Sequence, residues 1–495
     1  MTKKTKKFML SSFSIILIII ILLGIITHFL PSAECAELDT ATGECLSYVD
    51  GSGVLSAKLS DVLAAPIKGF EDAADVGVFI LVLGGLLAIV TKTGALDVGI
   101  KVLVKKLKGR ELILIPILMF IFSIGGTTYG MMEETVGFYA LLSFTMVAAG
   151  MDTIVASATV LLGAGVGVLG STINPFAVGA AIGALPEGTE VNQGLIIAIG
   201  VALWVISYII AVLFVLNYAK KVKANKGSTF LSLQEQKAME KTYAKEDNQT
   251  KDAKLSTRQK IVLWLFGLTF IIMIIGFIPW VDLGVLSEAA AVGHWTTFLS
   301  GNPIGWWWFE DGAILFFVMA IIIGIVARFS EKEIVDTFLE GAKDILGVIL
   351  IIAVARGASV LMKTTNLDNY IIFNAAEALK NVPEVLFTPL NYLLHVGLSV
   401  LVPSSSGLAS LSTPIMGPLA VQLGFSVETT IMTMVAANGL VNLITPTCGA
   451  IMGGLALAKV DYSTWFKWAF KIIACLAIAS MIILTLASVA LYYDI

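Results

Sequence analysis

The strongest constraint on the fold is a series of apolar runs that are long enough to cross a lipid bilayer. The first run, Phe8–Leu30, contains no Lys, Arg, Asp or Glu, and it follows four lysines at the start of the chain. A bilayer-spanning helix needs about 20 apolar residues. Because the run is long for a cleaved signal peptide, we predict that it is retained as a first helix whose N-terminus lies in the cytoplasm.

The composition excludes the ordinary soluble classes. Hydrophobic residues make up 57% of the chain and charged residues only 14%, whereas about 25% of residues are charged in a soluble protein. The formal net charge of −4 is too small to predict a nucleic-acid partner. The four cysteines form no metal-ligand cluster, and we predict no metal and no cofactor. The sequence therefore predicts an all-α polytopic membrane protein, with the lipid bilayer as its surroundings.

The connecting segments alternate in charge, as the positive-inside rule requires. Pro31–Asp75 carries nine acids against two lysines and is predicted outside, whereas Lys92–Arg110 carries six basic residues and is predicted inside. Lys220–Lys260, with eleven basic residues, reads as the main cytoplasmic linker, and Trp280–Glu310, with several tryptophans and no Lys or Arg, reads as an outer belt. We expect a multi-pass protein of a bacterial cytoplasmic (inner) membrane, with its N-terminus inside and its C-terminus outside.

The chain repeats itself weakly at a single offset. Lys92–Asp97 matches Lys363–Asp368 at a shift of 271 positions, and the same shift places Pro175 on Pro446. The charge pattern gives the two copies opposite directions through the bilayer. Inverted repeats whose broken helices meet at the midplane are a design of secondary transporters.

Short apolar runs joined by glycine-rich or serine-rich segments predict a re-entrant hairpin in each repeat, and the proline-containing long runs predict a broken helix. The predicted units are a first repeat at 1–218 with hairpin 112–149 and broken helix 154–184, a connecting unit at 219–310 with the cytoplasmic linker, a linking helix and an outer loop, and a second repeat at 311–495 with hairpin 385–421 and broken helix 429–458.

Three motifs carry a resemblance to a known family. They are Gly125–Thr135 (GGTTYGMMEET), Val354–Gly357 (VARG) and Pro403–Ala409 (PSSSGLA), and they resemble the YfcC-like family, which is grouped with the anaerobic C4-dicarboxylate carriers in the ion-transporter superfamily. The resemblance implies elevator-type alternating access and a scaffold-mediated homodimer. Similar family members include arginine:ornithine antiporters, so the leading expectation is a transporter, not an enzyme, that exchanges basic amino acids.

The polar residues at the hairpin tips and helix breaks are the candidate substrate-binding residues. Ionised carboxylates at membrane depth need compensation, so we expect Glu133 and Glu134 either to receive a cationic substrate, a proton or Na⁺, or to cap a helix. Arg356 either pairs with one of these acids or clamps a substrate carboxylate. The full set is Thr127, Thr128, Tyr129, Glu133, Glu134, Ser171, Thr172, Asn174, Arg356, Ser404, Ser405, Ser406, Asn438, Asn442, Thr445 and Thr447.

Two other functions compete with amino-acid exchange. A Na⁺- or H⁺-coupled carrier of C4-dicarboxylates or other carboxylates would use Arg356 and the serine-rich tip to hold the anion. An intramembrane hydrolase would need a serine of 404–406 with His395 as its base, but no orienting carboxylate is evident. The sequence contains no Gly-x-x-x-x-Gly-Lys-Ser/Thr loop for ATP-driven pumping. It leaves open the coupling ion and whether Cys35 and Cys45 form a disulfide.

Overall fold

The computed structural model describes residues 12–38, 45–49, 51–96, 98–99, 102, 110–186, 189–243, 254–278, 280–281, 285–291 and 297–491. The lysines before the first helix, most of the predicted inside loop at 92–110 and Trp295 of the outer belt lie outside these ranges. Within them the protein is almost entirely helical, which confirms the predicted fold class.

The first half contains eight α-helices and one β-ribbon among the described residues. In chain order they are α1 (Ser12–Ile26), β1 (Cys35–Leu38), β2 (Cys45–Tyr48), α2 (Leu59–Asp72), α3 (Ala74–Lys92), α4 (Leu114–Tyr129), α5 (Val136–Ala148), α6 (Thr153–Gly170), α7 (Ala180–Gly183) and α8 (Gln193–Ala224). A 3₁₀ turn, Glu133–Thr135, leads into α5, and a π-helical turn, Pro175–Gly179, leads into α7.

The linker and the second half follow the same plan. They comprise α9 (Leu233–Tyr243), α10 (Thr257–Phe277), α11 (Glu288–Ala291), α12 (Phe309–Ala327), α13 (Glu331–Thr364), α14 (Leu367–Leu379), α15 (Glu384–Leu401), α16 (Ser405–Gln422), α17 (Val427–Val441), α18 (Gly449–Leu457) and α19 (Tyr462–Ala490). Seven of the described helices are long and apolar enough to cross a bilayer, and the bent helix α13 makes eight. The chain is therefore a multi-pass membrane protein.

Each half contains the predicted hairpin and the predicted broken helix. Helices α4 and α5 form the first hairpin, and α15 and α16 form the second. Helix α6 is interrupted before the π-helical turn and α7, and α17 is interrupted before α18. All 18 residues of α6 are buried, so the broken backbone that follows it lies against protein, where its polar groups can be satisfied.

Packing between equivalent helices shows that the two repeats are inverted. Helices α3 and α13 are antiparallel, because Gly77 of α3 faces Ile349 whereas Gly85, further along α3, faces Phe338. The glycines permit this approach, since a Cβ on Gly85 would lie 2.4 Å from the Phe338 ring. Opposite directions in equivalent elements are what the charge pattern predicts for an inverted repeat.

The two broken helices also cross antiparallel, beside their breaks. A Cβ on Gly165 of α6 would lie 2.0 Å from the side chain of Leu443, and a Cβ on Gly439 of α17 would lie 2.6 Å from the backbone of Leu169. Such small spacings require glycine. The contact brings the ends of α6 and α17 together, so that both breaks lie at one level of the molecule.

The predicted outer segment, Pro31–Asp75, contains more structure than a loop. Strands β1 and β2 form an antiparallel ribbon, and Cys35 is disulfide-bonded, which favours the disulfide alternative over free thiols at this position. Helix α2 packs on α13 through two glycines: a Cβ on Gly69 would lie 2.3 Å from the Ala353 carbonyl oxygen. This helix was not predicted, because the segment is acidic and because the helix packs on residues that are distant in the sequence.

Candidate functional site

Both hairpin tips and the second helix break border one cavity of about 310 Å³, and Val168 and Phe176, on either side of the first break, also line it. Its ionisable lining contains four carboxylates and two cations, which give it a formal charge of −2. These side chains come from α2 and the start of α3, from the first hairpin tip and from α13: Asp72, Asp75, Glu133, Glu134, Arg356 and Lys363. A site that contains both signs of charge can bind a molecule that also carries both.

The first hairpin tip carries the acids. Helix α4 is followed by its C-cap Gly130, which adopts a left-handed φ of +80°, and then by the 3₁₀ turn Glu133–Thr135. The Glu134 side chain is 2% exposed, and its Oε2 accepts a hydrogen bond from the Met132 N–H at 3.0 Å. Among the described residues neither Glu133 nor Glu134 forms an ion pair. The tip therefore places two carboxylates beside the cavity without a direct ion pair, although Arg356 is near enough to interact electrostatically with Glu133.

The second hairpin tip is polar but neutral. Ser404 is the N-cap of α16, and its Oγ accepts a hydrogen bond from the N–H three residues later at 3.2 Å. Asn442, beyond the end of α17, donates from Nδ2 to the Pro403 carbonyl at 2.8 Å. Ser405 donates to Oδ1 of Asn438 at 2.8 Å. The amides beside the break thus fix the tip, and the positive end of the α16 dipole faces the cavity.

Arg356 does not pair with Glu133 or Glu134, contrary to one of the two expectations. Its Nη1 lies 3.7 Å from Oδ2 of Asp72, with the two side chains 25% and 40% exposed. The reason is helix α2, whose last residue is Asp72 and whose packing on α13 brings that carboxylate to the arginine. An ion pair this long and this exposed is weak.

Nine of the predicted site residues line the cavity, and seven do not. The residues that line it are Tyr129, Glu133, Glu134, Arg356, Ser404, Ser405, Ser406, Asn442 and Thr447. The residues outside the lining are Thr127, Thr128, Ser171, Thr172, Asn174, Asn438 and Thr445. Hydrogen bonds between Thr127 and Thr172, including Thr172 N–H to Thr127 Oγ1 at 3.1 Å, join the first hairpin to the first helix break.

Sequence reasoning missed Asp72, Asp75, Lys363 and Trp308, which also line the cavity. The Trp308 Nε1 donates to Oδ2 of Asp75 at 3.0 Å, and the Val76 N–H donates to Oδ1 at 2.8 Å. Both oxygens of Asp75 therefore have neutral donors. The only signal for the two aspartates was their place at the end of the acidic outer segment, next to an apolar run.

Two buried polar atoms in the cavity wall have no hydrogen-bond partner among the described residues. They are the Tyr129 hydroxyl and Oδ1 of Asn442. A buried polar group without a partner costs about 1–3 kcal/mol. One atom comes from each repeat, and each belongs to a residue that lines the cavity.

The structure does not form the serine–histidine pair that a hydrolase would need at the second tip. His395 is fully buried inside the second hairpin, where its Nδ1 contacts the Asn391 carbonyl at 2.8 Å and its Nε2 contacts Ser412 Oγ at 2.6 Å. Among the described residues no hydrogen bond joins His395 to the serines of 404–406. Within the residues that the structure describes, no group of three or more His, Cys, Asp or Glu side chains is placed to hold a metal ion.

Inverted repeats whose re-entrant hairpins meet at a charged cavity define a membrane transporter. The chain belongs to the DcuC family, described as C4-dicarboxylate anaerobic carriers, whose match covers residues 9–489. A relative in Haemophilus influenzae, an uncharacterized protein, is 31% identical over 435 residues, which are 88% of this chain and 79% of that one. The putative basic amino acid antiporter YfcC of Escherichia coli K12 is 26% identical over 446 residues, 86% of this chain and 81% of that one.

Two transporters of known structure resemble the chain at a lower sequence identity than these relatives. The YdaH transporter of Alcanivorax borkumensis, described as having an unusual topology, aligns with a TM-score of 0.45 and 16% identity over 96% of this chain and 97% of that chain. MtrF of Neisseria gonorrhoeae, described within a class of antimetabolite efflux pumps, aligns with a TM-score of 0.45 and 16% identity over 97% of this chain and 95% of that chain.

Proposed function

We propose that this protein is a secondary active transporter of a bacterial cytoplasmic membrane that exchanges basic amino acids, taking up arginine and releasing ornithine. The observation that carries the proposal is the net negative cavity, whose lining combines the carboxylates of the first tip with the cationic residues of α13. The name of the relative YfcC of Escherichia coli K12, a putative basic amino acid antiporter, agrees with it.

The charges of the substrate favour this cargo. Arginine and ornithine each carry two cationic groups and one carboxylate, so binding of either reduces the negative charge of a cavity with a formal charge of −2. A C4-dicarboxylate would double that charge, at a Coulombic cost that is large where water is scarce. We assign the cationic side chain to Glu133 and Glu134 and the substrate carboxylate to Arg356.

A carboxylate carrier is the second candidate. The side of the cavity formed by Arg356, Lys363 and the N-terminus of α16 is cationic and would suit an anion. The family is also described as C4-dicarboxylate carriers. In that case a coupling cation would have to neutralise the acids of the first tip, and Na⁺ or H⁺ would fill the place that we give to the basic side chain.

An elevator movement, with the predicted division into repeats at 1–218 and 311–495, is part of the proposal. A second cavity of about 640 Å³ lies between α5 and the helices α3 and α13. It reaches Lys92 at one end of α3, whereas the substrate cavity reaches Asp75 at the other end. Space at both ends of the contact between the hairpin and α3 supports alternating access. The homodimer, and an N-terminus inside with a C-terminus outside, follow from the resemblance and from the charge pattern.

Counterflow tests the proposal directly. The purified protein is reconstituted into liposomes that are preloaded with ornithine, with succinate or with buffer, in the absence of any ion gradient. We expect ornithine alone to accelerate entry of labelled arginine. Acceleration of labelled succinate entry by succinate, with no arginine entry under any condition, would replace basic amino-acid exchange by the carboxylate alternative.

A further inference from the structure

We infer that Asp72 is a specificity-determining residue, which occupies Arg356 when no substrate carboxylate is bound and thereby selects against anions that lack a cationic group. The inference rests on the proposed function, because it assigns the substrate carboxylate to Arg356. Asp72 lies in the segment that the sequence predicts as an outer loop, far from every motif that marked the site.

The geometry of the pair suits a contact that is made and released. Arg356 Nη1 lies 3.7 Å from Oδ2 of Asp72, which is beyond the usual hydrogen-bond distance of about 3 Å. Both side chains are partly exposed and line the substrate cavity. A substrate carboxylate that forms two charge-assisted hydrogen bonds with the guanidinium would therefore replace Asp72 readily.

The backbone fixes the position of this carboxylate. Helix α2 ends at Asp72, and its contact with α13 is made next to Arg356: a Cβ on Gly357 would lie 2.6 Å from the Ala65 carbonyl oxygen. Since Gly69 of α2 packs equally closely on the backbone of α13, the two helices meet at a fixed register. Asp72 thus lies opposite the arginine because the packing of two helices fixes its position, which a flexible loop would not do.

The neighbouring aspartate differs in the respect that matters. Asp75 lines the same cavity, but its two oxygens accept hydrogen bonds from Trp308 Nε1 and from the Val76 N–H. Among the described residues it forms no ion pair. Asp72 and Asp75 therefore contribute the same charge to the same wall, and of the two only Asp72 forms an ion pair with the arginine.

The consequence is selection by charge type. When a basic amino acid displaces Asp72 from Arg356, the freed carboxylate faces a ligand that carries an α-ammonium and a second cation, so its charge is compensated. When a dicarboxylate displaces it, the freed carboxylate meets only further negative charge. Asp72 therefore favours zwitterionic ligands with cationic side chains over dianions.

Calorimetric titration of the purified protein with succinate and with arginine tests the inference. We expect Asp72→Asn to strengthen succinate binding by on the order of tenfold, the size of one charge-assisted contact, and to weaken arginine binding. Asp75→Asn, which removes the same charge without freeing Arg356, should strengthen succinate binding far less. Monodisperse elution and an unchanged thermal unfolding midpoint confirm that each variant is folded.

The same titration in an Arg356→Gln background separates competition for the arginine from a general loss of charge. In that background Asp72→Asn should not change the affinity for succinate, which should equal that of Arg356→Gln alone. An equal gain in both backgrounds, an equal gain in Asp75→Asn, or unchanged succinate binding in Asp72→Asn would overturn the inference. If wild type binds succinate but no arginine, the proposed cargo fails, and the comparison of Asp72→Asn with Asp75→Asn still tests Asp72.

Discussion

The two hairpin tips occupy equivalent places in the inverted repeats and face one cavity, yet their chemistry differs. At the first tip Glu134 is buried and its carboxylate accepts a hydrogen bond from the Met132 N–H. At the second tip Ser404 is the N-cap of α16, and its hydroxyl accepts a hydrogen bond from the N–H three residues later. Each tip thus uses a side-chain oxygen to bond a nearby backbone N–H, and only the first tip uses a carboxylate.

The comparison separates what the fold requires from what the cargo requires. Because a neutral serine is sufficient to cap the second tip, the acids at the first tip are not needed to build a re-entrant hairpin. Asparagine side chains from the helix break hold the second tip in place, whereas the first hairpin is joined to its break by a threonine pair below the tip. From this difference we expect the first tip to bind the cationic groups of the substrate and the wall beside the second tip to bind its carboxylate.

The largest expected effect concerns the direction of the two hairpins. If the repeats are inverted across the membrane, the exposed Ser228 of the linker and the exposed Ser287 of the predicted outer segment lie on opposite sides. In a Cys475→Ser background, Ser228→Cys should react with an impermeant maleimide only after cell lysis, and Ser287→Cys should react in intact cells. Labelling of Ser228→Cys in intact cells would contradict the inverted repeats, and the two hairpin tips could then no longer be compared as equivalent elements.

Arg356→Lys should have the next largest effect. The ammonium keeps the charge but loses the planar fork that binds a carboxylate at two points. We expect a loss of about 2–3 kcal/mol in arginine binding, which is about 30- to 150-fold. Uptake in proteoliposomes, with protein content matched by immunoblot, measures it. Wild-type uptake by the variant would show that the arginine is not part of the site.

Glu133→Gln and Glu134→Gln should weaken arginine binding by about 1.5–3 kcal/mol, or on the order of tenfold to a hundredfold. Glutamine is nearly isosteric and keeps an oxygen that can accept the Met132 N–H, so the tip can still fold. Binding is measured by calorimetry with thermal unfolding recorded alongside, and exposed Glu71→Gln serves as the control for charge alone. Normal arginine binding in both tip variants would mean that the acids are structural.

Ser404→Ala should have the smallest effect. It removes the side-chain cap of α16, which is worth about 1 kcal/mol, or about fivefold in affinity if the cap positions the site. Ser404→Gly, which lets water reach the freed N–H, should lose only a fraction of that. A loss as large as that of Glu134→Gln would show that the second tip binds the substrate as strongly as the first.

Local sequence was sufficient to predict the hairpins and the broken helices. The hairpin at 112–149 stays a prediction, which rests on the glycines between two short apolar runs; the described helices in this range are α4 and α5. The shared offset also predicted that Glu133 and Ser404 occupy equivalent positions. Both features depend on residues within a few helical turns of each other, so hydrophobic periodicity and helix-breaking residues are sufficient to predict them.

The partner of Arg356 could not be predicted in this way. Asp72 belongs to an acidic segment that reads as a loop, and helix α2 is stabilised by packing of Ala65 and Gly69 against α13. That contact joins parts of the chain that are distant in sequence and lie outside the repeat motif. Buried charges usually find partners, and that rule pointed to the acids at the first tip because no local pattern revealed a nearer carboxylate.

The central claim is that the two sides of the cavity recognise different groups of one substrate, and a comparison of arginine with decarboxylated arginine (agmatine) tests it most directly. Agmatine keeps both cationic groups and lacks the carboxylate. The account predicts that Glu134→Gln weakens binding of both ligands by a similar factor, measured by calorimetry, whereas Arg356→Gln weakens arginine binding and spares agmatine. Equal losses of the two ligands in Arg356→Gln, or unchanged binding of both in Glu134→Gln, would contradict it.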